Sequence, residues 1–157
     1  IDFDGRLDHF SAEVGLISLA QYDNRVTHRQ ILARIYTEVL SSIRSQDIIW
    51  FPPVISGATW SHYPVLVVPE KRSSIISKLE IELNCEIGVI VDYSIADLKA
   101  YQMRGYSSCI NAKTEASQII NLPLTWFEPN LGSAMALEKI KDIIRKSLIS
   151  VFEAKDI

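Results

Sequence analysis

The sequence predicts an α/β fold, with three strands in one sheet covered on one face by helices. Two observations carry this. Apolar residues recur at helical spacing over several long segments, and between them lie short runs of β-branched and aromatic residues bounded by proline, glycine or asparagine. The elements alternate as helix, helix, strand, helix, strand, short helix, strand, helix, an order that builds a single sheet with helices packed on it.

The first helix is expected from His9 to Tyr22. Phe10, Val14, Leu16 and Ile17 are expected on one side of it, Ala12, Gly15 and Ala20 allow close approach, and Asp8 is placed to cap its exposed N–H groups. The second is expected from about Arg25 to Ser45, where Ile31, Leu32, Ile35, Tyr36, Val39, Leu40 and Ile43 form one face. Pro52, Pro53 and Gly57 then break the pattern. "WSHYPVLVV", Trp60 to Val68, reads as a strand, and Pro64 inside it argues for an edge position or a bulge because proline has no N–H for a ladder. A helix follows from Pro69, then a strand over "EIGVIVDY", Glu86 to Tyr93, and a short helix in "SIADLKAYQ". A polar loop through Gly105 and Ser108 leads to a third strand within "ASQIINLPLTW", ended by Pro123. Leu137, Ile140, Ile143, Ile144, Leu148 and Val151 mark a closing helix from Leu131.

A chain of 157 residues fits one domain that buries roughly two-thirds of its unfolded surface. Hydrophobic residues make up 48% of it and mean hydropathy is +0.12, values that exclude disorder and hint at apolar surface that meets a partner. A net charge of -3, a pI of about 5.6 and the lack of a Lys/Arg stripe argue against nucleic acid as a partner. Cys85 and Cys109 are the only cysteines, and two thiols in a chain able to build its own core read as reduced. With no basic-then-apolar leader and no apolar run of membrane length, the expected setting is the cytoplasm and no membrane partner is expected.

Self-contained chemistry is hard to find in the residues. His9, His28 and His62 are far apart and the cysteines form no C-x-x-C pair, so no metal cluster is visible. Ser107, Ser108 and Cys109 lack a nucleophile elbow and a nearby base. The glycines form no phosphate cradle. Glu80 with Glu82, or Asp92 with Asp97, read as solvated carboxylates rather than an acid–base pair. Trp50, Phe51, Trp60 and Tyr63 read as core or interface packing ahead of a ligand wall.

The order of the motifs is more informative. "DGRLDHFSAEVGLISLAQYDNRVTHRQILARIYTEVL" resembles the segment that follows the cofactor-binding core in the DegT/DnrJ/StrS family of pyridoxal-phosphate (PLP) dependent, nucleotide-sugar aminotransferases. The matching residues are Arg6, Leu7, Ala12, Gly15, Leu16, Leu19, Arg29, Ala33, Tyr36 and Leu40. "YPVLVVPEKRSSIISKLE" is similar to the family's small-domain strand and helix. "YSIADLKAYQ" sits where the family has a loop approaching the sugar site, and "CINAKTEASQIINLPL" is similar to the segment leading to its Leu-Pro-Leu strand end. The resemblance runs from about Asp4 to Arg145.

That resemblance implies the small C-terminal domain of a fold-type-I PLP aminotransferase. Residues 1–23, a turn plus a helix, would be the remnant of the large cofactor domain, and residues 24–157 the small α/β domain. It implies amino-group transfer from an amino acid, glutamate foremost, to a nucleotide-linked keto-sugar, within a homodimer. The Schiff-base lysine would lie upstream of Ile1, so no catalytic residue is expected in this chain and the chain alone is expected to be inactive. Arg6 is the one residue the resemblance places near the cofactor phosphate. Asp4 stands where the family has an asparagine that donates to that phosphate, and an ionised aspartate has no donor to offer. His9 and Glu13 also depart from the pattern. Two alternatives follow: a pyridoxamine-dependent sugar dehydratase of the same fold, and a non-catalytic dimerisation or ligand-binding module.

Overall fold

The computed structural model describes residues 8–103, 109–124 and 134–153. It is a mixed α/β fold built on three strands. Helix α1 spans His9–Ala20 and α2 spans Tyr22–Ser42, with the chain turning at Gln21. Asp8 caps α1 as the sequence suggests. Its carboxylate accepts from the Ser11 backbone N–H at 2.8 Å and from the Ser11 hydroxyl at 2.6 Å, and these bonds hold its pKa below the ordinary carboxylate value. No residue of α1 is buried, whereas α2 buries Leu32, Ala33, Ile35, Tyr36, Val39 and Leu40 along one face.

The strands are β1 (Ile48–Trp50), β2 (Tyr63–Val67) and β3 (Ile119–Leu122), paired antiparallel in the order β1-β2-β3. A 3-10 turn, Pro69–Lys71, leads into α3 (Arg72–Leu83), which ends on Asn84 in the left-handed region at φ 48. A second 3-10 turn (Ile95–Asp97), the single-turn α4 (Lys99–Gln102), α5 (Ile110–Gln118) and α6 (Ala134–Phe152) complete the elements.

Tyr63, Val65 and Val67 alternate inward from β2 and are fully buried, while Pro64 and Leu66 between them are half-buried. The buried side joins α2, α3 and α6 in one core. Ile75, Leu79 and Leu83 recur every four residues along α3 and meet Ile144, Leu148, Val151 and Phe152 of α6. Tyr36 and Tyr63 sit at its centre with ring centroids 5.3 Å apart, and Trp60, at φ 51, packs on Tyr63 at 5.6 Å. The Tyr36 hydroxyl donates to the Pro123 carbonyl at 2.8 Å, and the Tyr63 hydroxyl shares a 2.8 Å bond with the Thr37 hydroxyl.

Two expectations about strands need correction. Glu86–Tyr93 is not a strand among the described residues. Only Gly88 reaches the sheet, exchanging backbone bonds with Asn121 at 2.8 and 3.2 Å, and Val89, Ile90 and Val91 peel away exposed. The third strand is Ile48–Trp50 instead, too short to stand out as a periodic run. Pro64 is likewise not on an edge strand, because β2 is central. The reason is geometric. Pro64 lies opposite Asn121, whose N–H and C=O both point outward to Gly88, so this is a non-hydrogen-bonded pair. The ring nitrogen therefore faces the β1 side, where pairing has already stopped at Trp50 and Leu66. No ladder donor is lost. The start of the closing helix expected at Leu131, and the polar loop through Gly105 and Ser108, lie outside the described residues.

Burial of the two tyrosines predicts an alkaline limit. Desolvation pushes the Tyr63 pKa up to about 12 from its ordinary 10, offset in part by the Thr37 bond, and desolvation raises Tyr36 as well. The native state then holds these protons more tightly than the unfolded chain. Their contribution is complete below pH 10 and falls as pH rises through 12. Urea midpoints should therefore drop steadily above pH 10, and a midpoint flat to pH 12 would contradict the burial.

Candidate functional site

An open cleft of about 380 Å³ lies beside α5. One wall is the irregular stretch Val91–Ala96, in which Tyr93 is half-exposed and Ser94 is only 4% exposed. The facing wall is one side of α5, carrying Cys109, Ala112 and Glu115, with Ile119 where the helix runs straight into β3. The helical repeat explains the spacing, since residues three apart share a face. Most of the lining is apolar. Its polar groups are the Ser94 hydroxyl, the Cys109 thiol, the Tyr93 phenol and the Glu115 carboxylate.

Two contacts fix the walls. Lys113 on α5 pairs with Asp97 in the opposite 3-10 turn at 3.6 Å. Arg72, at the start of α3, donates from Nε to the Ile119 carbonyl at 3.0 Å and so ties α3 to the α5–β3 junction. Its buried Nη2 has no hydrogen-bond partner among the described residues. Ser94 precedes the Ile95–Asp97 turn, and its side chain makes no capping bond there.

The residues singled out by sequence scatter rather than converge. Arg6 and Asp4, with Ser107 and Ser108, lie outside the described residues. Glu80 accepts from the Ile87 backbone N–H at 3.2 Å, and Glu82 accepts from the Ser150 hydroxyl at 3.0 Å. Asp92 is exposed and Asp97 is in its ion pair, so neither acid pair forms. Tyr63 belongs to the core and Trp60 and Phe51 pack against it, while Trp50 is half-exposed on β1. His9 and His62 are exposed and His28 is half-buried on α2. Among the described residues no three His, Cys, Asp or Glu side chains gather to hold a metal, and no helix is long and apolar enough to cross a membrane.

Of the earlier candidates, Cys109 lies in the cleft and Asp97 at its rim. Ser94, Glu115 and Arg72 were not found from sequence, and nothing in their local patterns marks them. The two thiols should separate chemically. Burial, with Glu80 nearby, pushes the half-buried Cys85 thiol up to about 11, whereas Cys109 is exposed. Iodoacetamide at pH 8 is expected to alkylate Cys109 well before Cys85, as mass spectrometry of the digest would show, and equal rates would contradict the placement.

Comparison with known proteins bears on the fold and the family. An aminotransferase, TlmJ from Streptoalloteichus hindustanus, superposes with a TM-score of 0.59 at 18% identity, a likeness of fold that covers 89% of this chain. The chain spans 36% of the length of that structure. Comparison with curated protein sequences gives no match. The family model for the DegT/DnrJ/EryC1/StrS aminotransferases, a generally PLP-dependent group, matches residues 1–147, nearly the whole sequence. The chain therefore belongs to the DegT/DnrJ/EryC1/StrS aminotransferase family.

Proposed function

We propose that this chain is the C-terminal part of a PLP-dependent aminotransferase that moves an amino group from an amino acid, glutamate foremost, to a nucleotide-linked keto-sugar. The observation that carries the reading is the family match over residues 1–147. The described residues do not by themselves fit the cofactor, because no lysine lines the cleft. When bound, PLP supplies the electron sink for amino transfer, and it would be held by a lysine and phosphate contacts outside the described residues. As the resemblance implies, Arg6 would add a cation toward that phosphate, while Asp4, where the family has asparagine, would offer it no donor.

The chain's own share is positional. The Tyr93–Ala96 stretch forms one wall of the cleft and would face the sugar-bearing substrate. Lys113 pairs with Asp97 across the two walls, and Arg72 ties α3 to the α5–β3 junction at the Ile119 carbonyl. We assign residues 1–23 to the larger cofactor domain and 24–157 to the small domain. The bare apolar surface of α1, with Phe10 75% exposed and Leu16 and Leu19 each 67% exposed, supports this division, since a helix apolar all round is normally covered all round. The assembly would be a cytoplasmic homodimer.

The test is a half-reaction. A longer form carrying sequence upstream of Ile1, loaded with PLP, should convert to the pyridoxamine form on addition of glutamate, followed by absorbance. No conversion with any amino donor would sink the transaminase reading and leave the dehydratase or the binding module.

A further inference from the structure

We propose that Asn121 is a positioning residue for the cleft. Its side-chain amide, together with its backbone, fixes the near end of the wall that carries Val91 and Tyr93, and so sets how far that wall stands from α5. The proposal rests on the reading that this wall faces the sugar-bearing substrate, and it is tested without any amino transfer.

Asn121 breaks the ordinary rules of its surroundings. It lies within β3, although asparagine is depleted in strands, and it is only 6% exposed, flanked by Ile120 and Leu122 of the core. A buried amide costs stability unless it is hydrogen-bonded. Here Nδ2 donates to the Gly88 carbonyl at 3.3 Å. Residues that break a local rule in this way mark positions kept for function.

The acceptor is where the wall begins. The Gly88 carbonyl also takes the Asn121 backbone N–H at 2.8 Å, and the Gly88 N–H donates to the Asn121 carbonyl at 3.2 Å. One residue therefore holds Gly88 by three bonds. The approach is close, for a Cβ on Gly88 would stand 3.5 Å from the Asn121 Cβ. Past Gly88, no backbone hydrogen bond ties Val89–Tyr93 to another of the described residues, and Val89, Ile90, Val91 and Tyr93 are all exposed. The chain is next fixed at the buried Ser94 and at Asp97, through its 3.6 Å pair with Lys113. The Lys113 side chain is 69% exposed, so that pair is a weak anchor. The span that carries Val91 and Tyr93 thus depends on Asn121 for its near end.

The clasp also adjoins the cleft. Ile119 lines the cleft two residues before Asn121, so both side chains leave the same face of β3. The cleft lining and the anchor of its wall sit side by side on one strand.

The experiment follows amide exchange and methyl shifts by NMR in the 157-residue chain and two variants. Asn121→Leu removes the amide and suits a buried strand. Asn121→Asp keeps the shape but, ionised, sets only acceptors against the Gly88 carbonyl. In both, the Gly88 amide should exchange about fivefold faster, and the methyl of Ala112, across the cleft on α5, should shift. The amides of Val65 and Ile120, paired between β2 and β3, should stay within about twofold of their original rates in Asn121→Leu. That split separates loss of the clasp from loss of the fold. Unchanged Gly88 exchange in Asn121→Leu, faster Gly88 exchange with the Ala112 methyl unmoved, or equal acceleration at Gly88 and Val65 would each overturn the proposal. Failure of the aminotransferase reading would leave these outcomes untouched, since none involves the cofactor.

Discussion

Truncating Leu79 to alanine is expected to destabilise the fold by about 3 kcal/mol. Leu79 is fully buried at the middle of α3, between Ile75 and Leu83, where α3 meets α6. The loss combines the transfer free energy of the missing carbons with a cavity that two packed helices collapse onto only in part, and Leu→Ala changes of this kind cost about 2–5 kcal/mol. Ile81 is the internal control. It lies two residues away on the same helix but is 79% exposed, so Ile81→Ala should change stability by less than about 0.5 kcal/mol. Urea unfolding with an unchanged slope would read both. Equal losses at the two positions would mean that α3 does not present the face described.

The second large effect is expected at Tyr36. Tyr36→Phe keeps the ring in the aromatic cluster and removes only the hydroxyl that donates to the Pro123 carbonyl 87 residues away. A bond lost from a buried donor, with its acceptor left behind, costs about 1–3 kcal/mol, and the lower part of that range applies because Pro123 is itself half-buried. The bond joins α2 to the point where β3 ends, so the variant should also speed amide exchange at Leu122 and Leu124. Unchanged stability and unchanged exchange would show that packing alone holds this junction.

These two residues also show what a sequence can reveal. Tyr36 was legible as a position on an apolar helical face, because periodicity reports which side of an element is buried, whereas for Leu79 only the helix was expected and not its buried side. The partner of the Tyr36 hydroxyl was not legible, since it comes from a distant turn. The same limit produced the strand errors. Val89–Val91 has the composition of a strand, but β-propensity measures fit to a pleated, half-buried surface. Here Ile87 is drawn into the core, Gly88 alone touches β3, and the rest stays outside. Conversely, Ile48–Trp50 pairs because β2 offers an edge, not because three residues encode a strand. Pro64 argued for an edge or a bulge; β2 is central, and its pairing with β1 carries an irregularity of register.

The cleft was the least legible feature. Its walls come from two segments, each unremarkable alone, and α5 itself was folded into the loop and strand around it. The resemblance set "YSIADLKAYQ" where the family has a loop approaching the sugar site and "CINAKTEAS" ahead of a strand end, and the structure puts parts of both on the walls of one cleft.

The most direct test of the central claim is reductive trapping. A form of the protein that includes the sequence upstream of Ile1 would be incubated with pyridoxal phosphate, reduced with borohydride, digested and mapped by mass spectrometry. A single stoichiometric label is expected on a lysine upstream of Ile1, with the eight lysines of this chain unmodified. No label, or a specific label on one of those eight, would contradict it.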